Sequence, residues 1–166
     1  MPGEVWLRSR ATVRGYYRNP EATAVEFQDG FWKSGDIGIL DEEGYLTIVD
    51  RRKDMIVTGG FNVYAGEVED ALLSHPAVLM AAAVGIPHPE WGEAVHAEVV
   101  LRDGAGVGEA GVGEAELIAH ARARLGGHKP PKSIALVAQL PLSAAGKIVR
   151  RLVKEKYWKG AARGVA

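Results

Sequence analysis

The sequence predicts an α+β fold: a β-sheet covered by two or three helices, preceded by a run of short strands. Three observations carry this. Up to Asp50 the chain reads as short strand-like pieces separated by turn residues. Beyond Asp50, strand-like and helix-like patterns alternate. The composition, 47% apolar and 25% charged over 166 residues, suits one ordinary domain, or one small domain with a piece of another.

Each element follows from a local pattern. In "EVWLRS", Val5 and Leu7 alternate with polar neighbours as in a half-buried strand. "NPEATAVEF" offers Asn19 as N-cap and Pro20 at the first helical position, so a short helix follows. Gly44 marks a turn before the strand-like "YLTIV". "DMIVTGG" is a short β-type run stopped by two glycines, and "GEVEDALLSHP" places Val68, Ala71 and Leu72 on one helical face with Pro76 just beyond. "AVLMAAAVGIP" is an apolar run of strand length whose alanines leave a helix open, and "EAVHAEVVL" alternates again. "EAELIAHARARL" repeats apolar residues at Leu117, Ile118, Ala121 and Leu125, a helical face. "SIALVAQLP" is a further strand. "KIVRRLVKEKYW" is a final helix with Ile148, Val149, Leu152, Val153 and Tyr157 on one side.

Composition also excludes. A net charge of -1 gives no global case for nucleic acid or an anionic membrane. Seven Lys or Arg against Glu155 alone between Lys147 and Arg163 raise that question locally, but the apolar face within the segment reads as a packed helix with a solvated back. With no cysteine there are no disulfides or thiolate metal sites. The five histidines lack H-x-H or H-E-x-x-H spacing and read as loop or surface residues. The N-terminus has no apolar signal core, and no apolar run approaches the roughly 18 residues of a membrane span. A cytoplasmic protein is expected.

A glycine run, "GAGVGEAGVGEAELIAHARARL" from Gly104, contains G-x-G-x-x-G at Gly106, Gly108 and Gly111 ahead of a helix. "GVGEA" occurs twice in tandem, which a tolerant surface loop can carry. Glu109 and Glu114 also stand where an anion would bind. The run is therefore read as a loop and not as a nucleotide site.

Three other segments carry chemistry. In "FWKSGDIG", Asp36 beside Gly35 reads as a carboxylate at the end of a β-turn, suited to binding vicinal hydroxyls, or as a turn aspartate bonding its own backbone. In "VDRRKDMIVTGGFNVYAGEVE", the charged residues Asp50 to Asp54 separate two β-type runs as a solvated face or a hinge, and Gly59 and Gly60 allow close backbone approach. In "PLSAAGKIVRR", Lys147 stands at a helix start, where the dipole disfavours a cation. It reads as a mobile point charge or as an ordinary solvated lysine.

In this order and spacing the segments resemble the AMP-forming adenylate superfamily, which includes acyl- and aryl-CoA synthetases, adenylation domains of peptide synthetases and beetle luciferases. "GYYRNPEAT", "DGFWKSGDIGILDEEGYLTIVDRRKDMIVTGGFNVYAGEVE", "VGIPHPEWGE" and "GKI" read most like bacterial fatty-acyl-CoA ligases, collinear from about Gly3 to Trp158. The resemblance implies that 1–50 are the last strands of a large N-terminal, adenylate-binding domain and 51–166 a small mobile C-terminal domain. It further implies that Asp36 holds the adenosine ribose and Arg51 contacts ribose and phosphate. Lys53 is the hinge, Gly59 and Gly60 line the pantetheine tunnel, and Lys147 is the catalytic lysine of adenylation.

The implied reactants are a carboxylic acid, ATP (leaving as AMP) and CoA. The Mg2+ ligands, the phosphate-gripping loop and the acyl pocket belong to the N-terminal domain. This chain alone is then expected to be inactive, with its missing N-terminal domain as its partner. Two departures stand out. Ala65–Gly66 replaces a proline and a small residue, implying a looser loop after the hinge, and Ala145 replaces a common threonine beside Lys147. The alternatives are an adenylation domain delivering to a carrier protein, and a non-catalytic module docking on a separate large subunit. Unpaired strands in 1–50 also suggest self-association.

Overall fold

The computed structural model describes residues 1–105 and 112–160, and these form two compact units that meet in sequence between Lys53 and Asp54. The G-x-G-x-x-G stretch of the glycine run, residues 106–111, lies outside the described residues.

The first unit is a four-stranded antiparallel sheet: β1 (Gly3–Leu7), β2 (Phe27–Gln28), β3 (Phe31–Leu40) and β4 (Leu46–Arg51), with one helix, α1 (Pro20–Glu26). Asn19 caps α1 as predicted, its side-chain oxygen accepting from the Ala22 amide at 3.0 Å. Gly44 adopts φ +86° in the turn before β4, where the Asp41 carboxylate accepts the Glu43 and Tyr45 amides. β3 is the spine, pairing with β1, β2 and β4. Ile37, at 8% exposure, is the one buried large hydrophobic residue among the described residues of this unit. Trp6, Leu7, Ile39, Leu40, Leu46 and Ile48 are exposed.

The second unit has a real core. β5 (Ile56–Thr58) and β6 (Phe61–Val63) form a hairpin, followed by α2 (Ala65–Leu73). β7 (Val78–His88) and β8 (Gly92–Leu101) are a long antiparallel pair, which resolves the ambiguity of the alanine-rich run in favour of a strand. After α3 (Glu114–Leu125), β9 (Ser133–Leu136) runs parallel to β8, and α4 (Arg150–Trp158) comes last. The fold is α+β, as the patterning requires.

The sheet is covered on both faces. Val95, Ala97 and Val99 of β8 pack with Val68 and Leu72 of α2 and Leu117 and Ala121 of α3. Ala82 and Val84 of β7 pack with Val153 of α4, Leu140 and Val100 on the other face. This changes the reading of "EAVHAEVVL". Its polar alternates, His96 and Glu98, face a covered side, at 5% and 2% exposure. Burial there is tolerable because both are hydrogen-bonded. His96 Nδ1 lies 2.7 Å from Ser133 Oγ and its Nε2 2.8 Å from Tyr157 Oη. Glu98 accepts from Tyr157 Oη at 3.0 Å and Lys156 Nζ at 2.7 Å.

Other expectations are corrected. Ala65 and Gly66 are not a loop but the first turn of α2, with Ala65 fully buried. The final helix is shorter than its apolar pattern, since Ile148 and Val149 precede it and Leu152 is 39% exposed. His75 and His96 are buried, contrary to the surface reading, because each has polar partners that make burial tolerable.

Candidate functional site

Asp36 does not end a β-turn. It lies within β3, opposite Arg51 of β4 in the ladder. Between the β1 pairs Glu4↔Ile37 and Trp6↔Lys33 the register shifts, so Ser34, Gly35 and Asp36 bulge against Val5 alone. Gly35 takes φ +73° there. Ser34 staples the bulge, donating to the Val5 carbonyl at 2.9 Å and accepting the Asp36 amide at 3.0 Å. The bulge aims the Asp36 carboxylate out of the ladder, 34% exposed and 3.6 Å from Arg51 Nε. The outcome is an acceptor beside a mostly solvated guanidinium, a pair that can meet hydroxyls and an anion together.

The charged run is not uniformly solvated. Asp50 is buried at 8% and its Oδ1 accepts the Arg51 amide at 2.7 Å. Arg52, Lys53 and Asp54 form one 3₁₀ turn. Arg52 pairs with Glu4 at 3.4 Å, Asp54 pairs with Arg150 at 3.2 Å, and Lys53 is exposed between them. Three of the five adjacent charges have opposite-charge partners on other elements, Arg51 on β3, Arg52 on β1 and Asp54 on α4.

Gly59 and Gly60 are the two-residue turn joining β5 to β6, at φ +55° and +83°. Positive φ at both positions is what a type I′ hairpin demands. The sequence showed the glycines but not the second strand, which is only three residues long. The Gly59 amide donates to the Trp91 carbonyl at 3.0 Å. Around this turn lie groups to which the sequence assigned no role. Trp91 stacks on His88 at 4.0 Å, Phe61 stacks on His128 at 3.8 Å, and Lys132 lies 5.3 Å from the Trp91 ring. The one sequence signal for them is a large aromatic in a loop between strands.

Lys147 is not at a helix start, so the dipole argument does not apply to it. It stands on an exposed hairpin three residues before α4, closed by the Leu142↔Ile148 bridge. Ser143 donates its amide to the Lys147 carbonyl at 2.8 Å, and its hydroxyl accepts the Lys147 amide at 3.2 Å. Ile148 anchors this hairpin among Ala82, Val84 and Val153. Ile56 and Val63 anchor the Gly59–Gly60 hairpin in the opposite cluster, with Val68 and Leu72. The two loops are thus rooted on opposite faces of one sheet.

The basic C-terminal segment is largely neutralised from within. Arg150 pairs with Glu69 and Asp54, Arg151 with Glu155, Lys154 with Glu93 and Lys156 with Glu98. A patch whose charges are already paired makes a poor phosphate-backbone surface. No group of three or more His, Asp or Glu among the described residues is placed to hold a metal ion. No described helix is long and apolar enough to cross a membrane.

Comparison with known proteins agrees with this architecture. Residues 67–147 match the AMP-binding enzyme C-terminal domain family. The chain is 42% identical over 165 residues to a medium/long-chain-fatty-acid–CoA ligase of Mycobacterium tuberculosis, covering 98% of this chain and 29% of that ligase. It superposes on ATP-bound MatB from Rhodopseudomonas palustris with a TM-score of 0.85 at 37% identity, covering 95% of this chain and 30% of that one. It also superposes on o-succinylbenzoate CoA synthetase (MenE) from Bacillus subtilis, solved with an acyl-adenylate intermediate. There the TM-score is 0.82 at 35% identity, over all of this chain and 32% of that one. The chain spans less than a third of the ligase it matches. Residues 67–147 thus resemble the AMP-binding enzyme C-terminal domain family, and along nearly its whole length the chain is similar to the C-terminal part of acyl-CoA ligases.

Proposed function

We propose that this chain supplies the C-terminal part of an ATP-dependent acyl-CoA synthetase. The enzyme activates a carboxylic acid, of fatty-acid type, as its acyl-adenylate and transfers the acyl group to CoA. Residues up to the hinge at Lys53 complete the large adenylate-binding domain and those beyond it form the mobile one. The Mg2+ ligands and the acyl pocket lie in the large domain, and a cytoplasmic location belongs to the same reading.

In the first half-reaction a carboxylate attacks the α-phosphate of ATP and pyrophosphate leaves, so two anions must meet. The Lys147 ammonium, on an exposed hairpin, lowers that barrier as a cation between them. Asp36 accepts the ribose hydroxyls and Arg51 meets ribose and phosphate. In the second half-reaction the thiol of CoA attacks the acyl carbon and AMP leaves. Lys147 withdraws, and the Gly59–Gly60 turn admits pantetheine where side chains would block it. Rotation about Lys53 exchanges the two loops, a gating motion. One observation supports this above the others: the two loops are rooted on opposite faces of a single sheet, so turning the unit removes one as it presents the other.

The test is a chimera in which this chain replaces the matching segment of the Mycobacterium tuberculosis ligase. It is expected to catalyse fatty-acid-dependent ATP–pyrophosphate exchange and acyl-CoA formation. Lys147→Ala is expected to lower exchange by about a hundredfold or more, as loss of a transition-state charge does. A folded chimera that exchanges no pyrophosphate while the parent does would favour the non-catalytic module instead. Exchange by the 166-residue chain alone, lost in Lys147→Ala, would overturn the division of labour.

A further inference from the structure

We propose, resting on the catalytic role given to Lys147, that Arg150 is a positioning residue. Its guanidinium clamps the exit of the hinge at Asp54 to the base of the hairpin that carries the lysine. The hairpin closes at Val149, whose amide donates to the Pro141 carbonyl at 2.9 Å, and Arg150 follows immediately. Arg150 Nε donates to Glu69 Oε1 at 2.7 Å, Nη2 to Glu69 Oε2 at 2.5 Å and Nη1 to Asp54 Oδ2 at 3.2 Å. Glu69 is itself fixed, buried at 8% with Oε1 accepting the Ala83 amide of β7 at 2.9 Å.

One side chain therefore gathers the start of α4, the α2 helix, the central sheet and the residue after the hinge. Arg150 is the first residue of α4, where the helix dipole opposes a cation. The bidentate Glu69 pair already offsets its charge, so the third bond, to Asp54, is not needed for neutrality. It is a geometric tie. Only a forked guanidinium can make all three bonds, because a lysine ammonium lacks the planar spread.

The tie gives the hinge defined ends. Arg52 is held to Glu4 within the first unit and Asp54 to Arg150 within the second, leaving Lys53 to absorb the change in φ and ψ. Motion at Lys53 then reaches the Lys147 hairpin through Asp54 and Arg150 without slack. Catalysis needs this, since a misplacement of about 1 Å in a catalytic group costs on the order of a hundredfold.

The test uses Asp54→Ala, which removes the acceptor but keeps the Arg150–Glu69 pair and hence the fold, in the 166-residue chain. Hydrogen exchange at the Ser143, Gly146 and Val149 amides is expected to accelerate about tenfold while the β8 amides keep their protection. Arg150→Lys should reproduce the loosening. Unchanged hairpin exchange in Asp54→Ala, equal acceleration throughout the second unit, or full rescue by lysine would each overturn the clamp. In the chimera, Asp54→Ala should lower kcat for pyrophosphate exchange about tenfold at unchanged KM for ATP, and leave thioester formation from supplied acyl-adenylate intact. Equal loss in both half-reactions also overturns it. If the parent chimera exchanges no pyrophosphate, the catalytic reading fails, while the amide measurement still decides the clamp.

Discussion

His96 and Tyr157 show how one residue sets a pH response. Burial is the main reason the His96 imidazole titrates below its usual 6.5, outweighing the nearby Glu98 and Glu114. A depressed folded-state value means its contribution to stability is complete above 6.5 and is lost as pH falls toward that value. Urea midpoints should therefore drop between pH 7 and 5, and His96→Gln should flatten that drop. Tyr157 is pushed up to about 12 by burial and by its bond to Glu98. Its contribution is complete below 10 and is lost as pH rises toward 12. Tyr157→Phe removes one partner from each of two buried groups, and should cost about 1–3 kcal/mol in denaturant titrations. Asp36 behaves differently. Its exposed pair with Arg51 is worth at most about 1 kcal/mol. Asp36→Asn should barely move stability while raising the chimera's KM for ATP; a large stability loss with unchanged KM would mark it as structural.

Elements explain what local patterns could not. Asn19, Pro20 and Gly44 act over four residues or fewer, so their elements were legible. The β5–β6 hairpin was half legible, because its glycines are visible but three-residue strands carry no period. Lys147 was placed on a helix because "KIVRRLVKEKYW" has helical spacing throughout. The helix nevertheless begins at Arg150, since Ile148 is held in a bridge to Leu142. Gly85 shows the packing limit on β7. A Cβ there would meet Glu93 Oε2 at 2.3 Å and Ile56 Cγ2 at 3.0 Å. Glu93 cannot move freely, because it accepts the Val57 amide and pairs with Lys154 of α4. Gly85→Ala should thus cost about 1–3 kcal/mol of stability, seen as a lower thermal midpoint of the second unit. An unchanged midpoint would show that Glu93 relaxes at little cost.

At the scale of the whole molecule the two units differ in core content. The second holds Leu72, Leu117, Val95 and Val99 at 0% exposure, each worth roughly 1.5–3 kcal/mol of burial. The first buries Ile37 and leaves most of its large apolar side chains exposed. Heating should melt the first unit before the second, and limited proteolysis should leave a resistant fragment beginning near Asp54. A single cooperative transition with equal resistance throughout would contradict this. Leu117→Ala should lower only the later transition, through a loss of about 2–5 kcal/mol of stability in the second unit.

Sequence alone determined the fold class, most of the helices and strands, and the residue types that point to adenylate chemistry. It could do so because caps, turn glycines and apolar periods act within a few residues of themselves. Only the tertiary structure decided that β8 is covered on both faces, that Asp36 sits on a bulge opposite Arg51, and that Arg150 joins Asp54 to Glu69. Those partners are 15, 96 and 81 residues apart in the chain, or lie on different layers. Nothing in a local pattern encodes which distant carboxylate a half-buried arginine will meet; closure of the core does.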